Sequence, residues 1–194
     1  MREARTLGRP REFDEAEALR RIMEVFWAKG YEGTSLSDLV AATGVKKGSL
    51  YAALGDKRGM YLKALSLYDR EWISRLVRGL EGQGAPIDRI ESFLESAIEG
   101  TGGRVVARGC FLCNAAVDPA AGDPEARAAV GESLARLQAA LAEVLAALPA
   151  RAPEAEAGHL LSVYLGLRVL AKAGADPATL AATKARALQS LRGP

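Results

Sequence analysis

Cysteine and histidine are scarce in this chain, with two of the former and one of the latter in 194 residues. Two cysteines do not build the disulfide framework of a secreted scaffold. Together with one histidine they supply too few ligands for a structural zinc site, which takes about four. His159 stands alone, so there is no second histidine for a helical Glu-x-x-His pair or a triad, and no Gly-rich phosphate loop is present. The expectation is therefore a protein that is not an enzyme and carries no metal and no cofactor. Uncharged stretches fall well short of the roughly 18 apolar residues of a membrane span, and the Arg-rich N-terminus has no apolar signal core. That predicts a cytoplasmic protein with no membrane partner. No segment alternates with period two in β-branched residues, which excludes a sheet-based fold.

What the chain has instead is helical periodicity, with 49% apolar residues, enough for a sizeable core in one compact unit. Leu19, Ile22, Met23 and Phe26 recur at helical spacing, with Asp14 as N-cap and Gly30 at the end. Thr34 or Ser35 caps a short second run through Leu36, Leu39 and Val40, which stops at Gly44. A third run spans Lys46 to Leu54, with Leu50 and Leu54 one turn apart. Two short helices joined by a glycine-containing turn describe a helix-turn-helix, and the second of them is basic. Beyond it Asp56 caps a fourth run through Met60, Leu62, Leu65, Leu67 and Trp72 toward Gly79, Gly82 and Gly84. Ile87 to Ile98 is a fifth, and Arg104 or Arg108 to Val117 a sixth. Asp123-Pro124 opens a seventh that runs to Leu148, Glu154 to Ala173 is the eighth, and Pro177 to Leu191 the ninth. The predicted class is all-α with about nine helices.

Charge is unevenly distributed. Up to Lys63 there are 12 basic and 9 acidic residues, against 14 and 15 after it. The excess lies in the arm Met1 to Arg11 and in Lys46 to Lys63, and it suggests an anionic partner, although a solvated charged face has the same composition. With Val45, Leu50 and Leu54 turned inward, Lys46, Lys47, Ser49 and Ala52 point outward on a helix that suits a DNA major groove. Gly48 permits close approach, Tyr51 suits a phosphate oxygen unless it is a core tyrosine, and Lys57 lies where backbone N–H groups also attract phosphate. Gly8-Arg9-Pro10-Arg11 reads as an extended arm, with Arg9 and Arg11 suited to a narrow A/T-rich minor groove; the alternative is a flexible tail.

The run "FWAKGYEGTSLSDLVAATGVKKGSLYAALGDKRGMYLKAL" resembles the DNA-binding domain of the tetracycline-repressor (TetR) family of bacterial regulators, over about Phe13 to Leu65. Its markers are the aromatic-x-x-x-Gly-Tyr-x-x-Thr-Ser run, Ala-Thr-Gly-Val, Lys-Gly-Ser-Leu-Tyr and the Asp-Lys opening the fourth helix. Leu54 stands where the family usually has an aromatic residue, and Ala52-Ala53 thin the base-reading surface. The resemblance implies a basic arm over residues 1–12, a three-helix helix-turn-helix domain over 13–58, and a larger helical effector-binding and dimerisation domain over 59–194. It also implies a homodimer on near-palindromic operator DNA, most simply a repressor released by a small-molecule effector. Thr34, Ser35 and Ser37 join Lys46, Lys47, Gly48, Ser49, Tyr51, Lys57, Arg9 and Arg11 as expected DNA contacts. An architectural DNA binder without an effector shares the basic helix but needs no domain of roughly 130 residues behind it.

Two features remain in the second half. The eighth run carries Leu160, Leu161, Tyr164, Leu165, Leu167 and Leu170 on a face wider than a lone surface helix needs, and the ninth is alanine-rich; dimerisation and completion of a monomer core both account for this. Trp72, Phe93, Phe111, Tyr164 and Arg168 are candidates for an effector pocket and equally for ordinary packing. Cys110 and Cys113, in "RGCFLCNAAVD", are either core residues or a thiol-based redox sensor responding to oxidants or electrophiles. For sensing speak Arg108 beside Cys110 and the helix-opening Gly109; a disulfide between two cysteines inside one helix is expected to distort it.

Overall fold

The structure is a computed structural model that describes residues 13–99, 108–118, 122–148 and 152–191. The arm over residues 1–12, with Arg9 and Arg11, and the early start of the sixth run at Arg104 lie outside the described residues.

The chain opens with three helices, α1 (Glu15–Lys29), α2 (Leu36–Thr43) and α3 (Lys47–Leu54). The Asp14 carboxylate accepts from the N–H groups of Ala16 and Glu17, and Gly30 ends α1 at φ 73°. Of the two residues considered for the next cap, Ser35 does it: its hydroxyl accepts from the Asp38 N–H and the Asp38 carboxylate accepts from the Ser35 N–H, a reciprocal capping box. Gly44, left-handed at φ 70°, closes α2. Lys46 is the N-cap of α3 and not its first residue.

The next rod begins at α4 (Lys57–Tyr68), widens into a π turn over Asp69–Ile73 and continues as α5 (Ser74–Glu81). Gly79 lies inside α5 and does not stop it. The π turn inserts an extra residue that 3.6-residue periodicity does not reveal. It is fastened where Ser133 Oγ donates to Asp69 and the Arg136 guanidinium forms an ion pair with the same carboxylate.

α6 (Pro86–Glu95) ends three residues earlier than its apolar pattern implies, because Ser96, Ala97 and Ile98 continue as tight turns. α7 (Phe111–Val117) is shorter than the expected sixth run: Gly109 takes φ 70° and Cys110 is extended at its N-cap. α8 (Pro124–Ala146), α9 (Pro153–Lys172) and α10 (Pro177–Leu191) complete the chain. Counting α4 through α5 as one rod, the described residues form nine helical rods and no strand, an all-α fold.

α1 packs on α4, and α8 lies between α9 and the α4–α5 rod, while α10 covers α9 and α6. One apolar core runs from Ile22 and Phe26 through Tyr68 and Phe111 to Leu167 and Leu188. No helix among the described residues is long and apolar enough to cross a membrane.

Candidate functional site

The outer face of α3 exists because Leu50 and Leu54 are buried against α1 and α4. Their burial leaves Lys46, Lys47, Gly48, Tyr51 and Ala52 exposed, with Ser49 half-buried. Tyr51, 39% exposed, is not a core tyrosine; its ring lies 5.6 Å from the Lys47 ammonium. Lys57 occupies the first turn of α4 behind the Asp56 cap, and its ammonium sits 4.3 Å from the centre of the Tyr31 ring. Ser35 and Ser37 are exposed at the start of α2, though the Ser35 hydroxyl is engaged by Asp38.

Thr34 does not join this surface. It is 1% exposed and its hydroxyl donates to the Gly30 carbonyl at 2.6 Å, so it locks the α1–α2 corner. A β-branched residue with a hydroxyl at that corner satisfies an orphan helix-end carbonyl, which is a structural task.

The five cations of the Lys46 to Lys63 stretch divide by what holds them. Arg58 is clamped by Asp123 and Glu125 at the start of α8, which drives its pKa upward and holds the Asp123 carboxyl down at about 2, the Arg58 hydrogen bond being the main cause. Lys63 donates to the Leu54 carbonyl at 3.0 Å. Lys46, Lys47 and Lys57 form no ion pair with the described residues; Lys46 and Lys47 are exposed on α3 and Lys57 is half-buried against the Tyr31 ring.

A second cluster joins this domain to the rest of the chain. Trp27 of α1 meets Tyr68 and Trp72 edge-on at 5.1 and 5.5 Å and Phe111 at 6.3 Å. Phe93 stacks on Tyr164 at 4.3 Å, and Arg168 lies one turn further along α9, 6% exposed. Its guanidinium donates to the Gly109 carbonyl at 2.6 Å while its Nε has no partner. Four surface grooves of about 420 to 780 Å³ are lined by other residues; of the five expected pocket residues Phe93, Phe111, Tyr164 and Arg168 are buried and Trp72 is half-buried.

Cys110 is buried, with the Tyr68 hydroxyl 3.7 Å from its sulfur. Hydrogen bonding from the Cys113 thiol, with help from the Tyr68 hydroxyl and the Arg168 charge, outweighs burial and lowers the Cys110 pKa to about 6. Cys113, half-buried, is pushed strongly upward because it donates to Cys110. Burial likewise raises Tyr68 well above the ordinary phenol range and Tyr164 to about 12.

The residues that couple the two parts carry little signal in the sequence. The Asp118 carboxylate accepts from the Tyr31 N–H at 2.9 Å, just past the end of α1. Asn114 donates to the Arg108 carbonyl at 3.0 Å and to the Trp27 carbonyl at 3.5 Å. Both lie in the segment that begins at Cys110. Only the polar side chains breaking an apolar run mark them in the sequence.

Two family models match this chain. Residues 18–64 match the bacterial regulatory proteins of the tetR family, and residues 86–185 match a tetracyclin repressor-like C-terminal domain. The chain belongs to the TetR family. Among curated relatives, an uncharacterized HTH-type transcriptional regulator, YezE of Bacillus subtilis, is 34% identical over 119 residues, 61% of either chain. The HTH-type transcriptional repressor ComR of Escherichia coli is 49% identical over 61 residues, 31% of this chain and 29% of ComR. This TetR-family chain thus spans about three fifths or less of the length of these relatives. Among solved structures, a cysteine mutant of the TetR family regulator CifR, complexed with 26-bp double-strand operator DNA, superimposes with a TM-score of 0.84 at 30% identity, covering 94% of this chain and 99% of CifR. Reduced NemR of E. coli shares the fold, with a TM-score of 0.79 at 21% identity over 89% and 93% of the two chains.

Proposed function

We propose that this TetR-family protein is a transcriptional repressor that binds a near-palindromic operator as a two-fold dimer in the cytoplasm. Residues 13–58 act as the DNA-reading domain and 59–194 as the dimerisation and effector domain. The observation that carries the reading is the outward face of α3, where Lys46, Lys47, Gly48 and Tyr51 stand exposed over a base of buried Leu50 and Leu54. Lys46, Lys47, Lys57 and the Tyr51 hydroxyl contact phosphates, Gly48 lets the backbone approach, and Ser49 reads a base edge or phosphate. Ser35 and Ser37 flank the site from α2, and Arg9 and Arg11 enter the adjoining minor groove. The cysteine-mutant CifR complex with operator DNA supports this assignment of partner.

Dimerisation uses α9 and α10. On α9, Ser162, Gly166, Val169 and Leu170 are exposed, with Val169 and Leu170 at 55% and 41%. On α10, Ala181, Ala182 and Ala185 are exposed. Small residues let two helix pairs approach closely, and an apolar exposed stripe asks for a partner.

Release follows when an effector favours a second arrangement of the two reading heads. Half-buried Trp72 and the buried Phe93, Cys110, Phe111, Tyr164 and Arg168 form the effector site, which opens to a ligand in that second arrangement, because its α7 wall ends on α1 through Asn114 and Asp118. Binding of purified protein to a selected operator and to random duplex, across a salt series, tests the central step. The reading requires strong preference for the selected duplex and a steep salt slope; equal binding to both removes it and leaves an architectural DNA binder.

A further inference from the structure

The buried centre holds a charge that apolar packing does not call for. The Arg168 guanidinium, 6% exposed, makes one hydrogen bond, to Gly109, leaves Nε unpartnered, and forms no ion pair with a carboxylate among the described residues. A buried cation without an anion is strongly unfavourable. Cys110, 4% exposed, directly follows the Gly109 whose carbonyl Arg168 holds, and its sulfur is able to become that anion, with the Tyr68 hydroxyl 3.7 Å from it to solvate the charge.

Backbone geometry then sets the second thiol against the first. Gly109 at φ 70° turns the chain so that Cys110 is the extended N-cap of α7, and Cys113 falls three residues on, in its first turn. Side chains at these two positions converge, as they do in a capping box. The pair therefore straddles the helix start instead of lying within the helix, and the distortion expected of an intrahelical bridge does not arise.

We propose that Cys110 and Cys113 form a dithiol–disulfide couple oxidised by hydroperoxides, and that its closure detaches Arg168 from its counter-ion and shifts α7 against the reading domain. The effect on DNA rests on the function proposed above; the bond itself does not. The Cys110 thiolate attacks the distal peroxide oxygen, breaking the O–O bond and forming a sulfenic acid with release of hydroxide or alkoxide. Cys113 then loses its proton and attacks the Cys110 sulfur, forming the S–S bond as the sulfenic hydroxyl leaves with that proton as water. The protein loses two electrons, and the peroxide is reduced to water, or to an alcohol plus water. A disulfide carries no charge, so Arg168 is left as an uncompensated cation in the core. Arg168 holds the Gly109 carbonyl just before α7, so its displacement moves the start of that helix and reaches α1 through Asn114 on the Trp27 carbonyl and Asp118 on the Tyr31 N–H.

The test treats the reduced full-length protein with hydrogen peroxide, then alkylates, digests and maps it by mass spectrometry, with operator binding measured in parallel. The expected result is an intrachain Cys110–Cys113 bridge in the wild type, a fall in operator affinity of about tenfold or more, and recovery with dithiothreitol. Cys110→Ser should show no peroxide response relative to its own reduced state. Cys113→Ser should stop at a sulfenic or sulfinic acid on Cys110. A peroxide-treated wild type with both thiols still free, with Cys110 overoxidised beside free Cys113, or with bridges only between chains overturns the couple. A mapped bridge without loss of affinity overturns the coupling to α1, and reduced protein without operator preference overturns the proposed function while leaving the bridge to be read on its own.

Discussion

Replacing Asp118 with alanine is expected to loosen the joint between the reading domain and the rest of the chain. Its carboxylate accepts from the Tyr31 N–H at 2.9 Å. A hydrogen bond to a charged group contributes about 1.5–3 kcal/mol net. Tyr31 is half-buried, so water takes over part of the lost bond, and a loss of about 1–2 kcal/mol remains. Asp118 has further interactions, which makes this a floor. For a chain of this size that lowers Tm by about 2–8 °C. Gly30 provides an internal control: it sits at φ 73°, and a Cβ there would lie 2.6 Å from the Asp118 Oδ2 atom. With ψ at 174° this backbone is essentially reserved for glycine, so Gly30→Ala adds strain of about 1–3 kcal/mol to a clash with the same carboxylate. In the double variant the clash disappears, so the two losses should sum to more than the measured total. Urea and thermal unfolding of the full chain give the four values of the cycle. An Asp118→Ala loss below about 0.5 kcal/mol, or strict additivity with Gly30→Ala, would refute the joint.

Lys57→Ala should weaken binding to every duplex alike and reduce the salt slope by about one unit, whereas Ser49→Ala should change preference among sequences; filter binding over a salt series separates the two. Gly166 is exposed, and a Cβ there would meet nothing within 4 Å, so it should accept arginine without loss of fold; sedimentation should then find a helical monomer, and an unchanged dimer would count against the α9 face. Leu50→Ala, removing a fully buried side chain beneath α3, should cost about 2–5 kcal/mol in urea unfolding and abolish operator binding at temperatures where the wild type binds. Folding depresses the Cys110 pKa to about 6, so its contribution to stability is fully present above the ordinary thiol pKa and is lost as pH falls through about 6. Reduced wild type should gain stability over Cys110→Ser between about pH 6 and 8, and a flat difference would deny the shift.

Much of the helical layout is legible in the sequence because caps and stops have local chemistry. Asp14, Asp56, Asp123, Gly30 and Gly44 mark their helix ends within a few residues of sequence, and Leu50 with Leu54 sets the inner face of α3. The π turn at Asp69–Ile73 is not legible, since it is held by Ser133 and Arg136 from more than sixty residues away. The same distance hides the fate of Arg58, which charge counting places beside the lysines and which Asp123 and Glu125 claim. Thr34 reads as a surface contact because a threonine before a helix is usually a cap; here Ser35 caps and Thr34 faces Gly30. The apolar pattern is continuous across Cys110 and so puts it inside a helix, whereas Gly109 breaks the backbone just before it.

Half-site spacing tests the proposed two-fold operator complex most directly. Two α3 helices of a rigid dimer reach successive major grooves about 34–36 Å apart, one helical turn of DNA. Inserting about five base pairs, half a turn, between the half-sites of the selected operator turns them to opposite faces of the duplex. Affinity should drop to that of random DNA, with the unmodified site carrying two chains per duplex by native mass spectrometry. Unchanged affinity for the lengthened site, or one chain on the unmodified site, would contradict it.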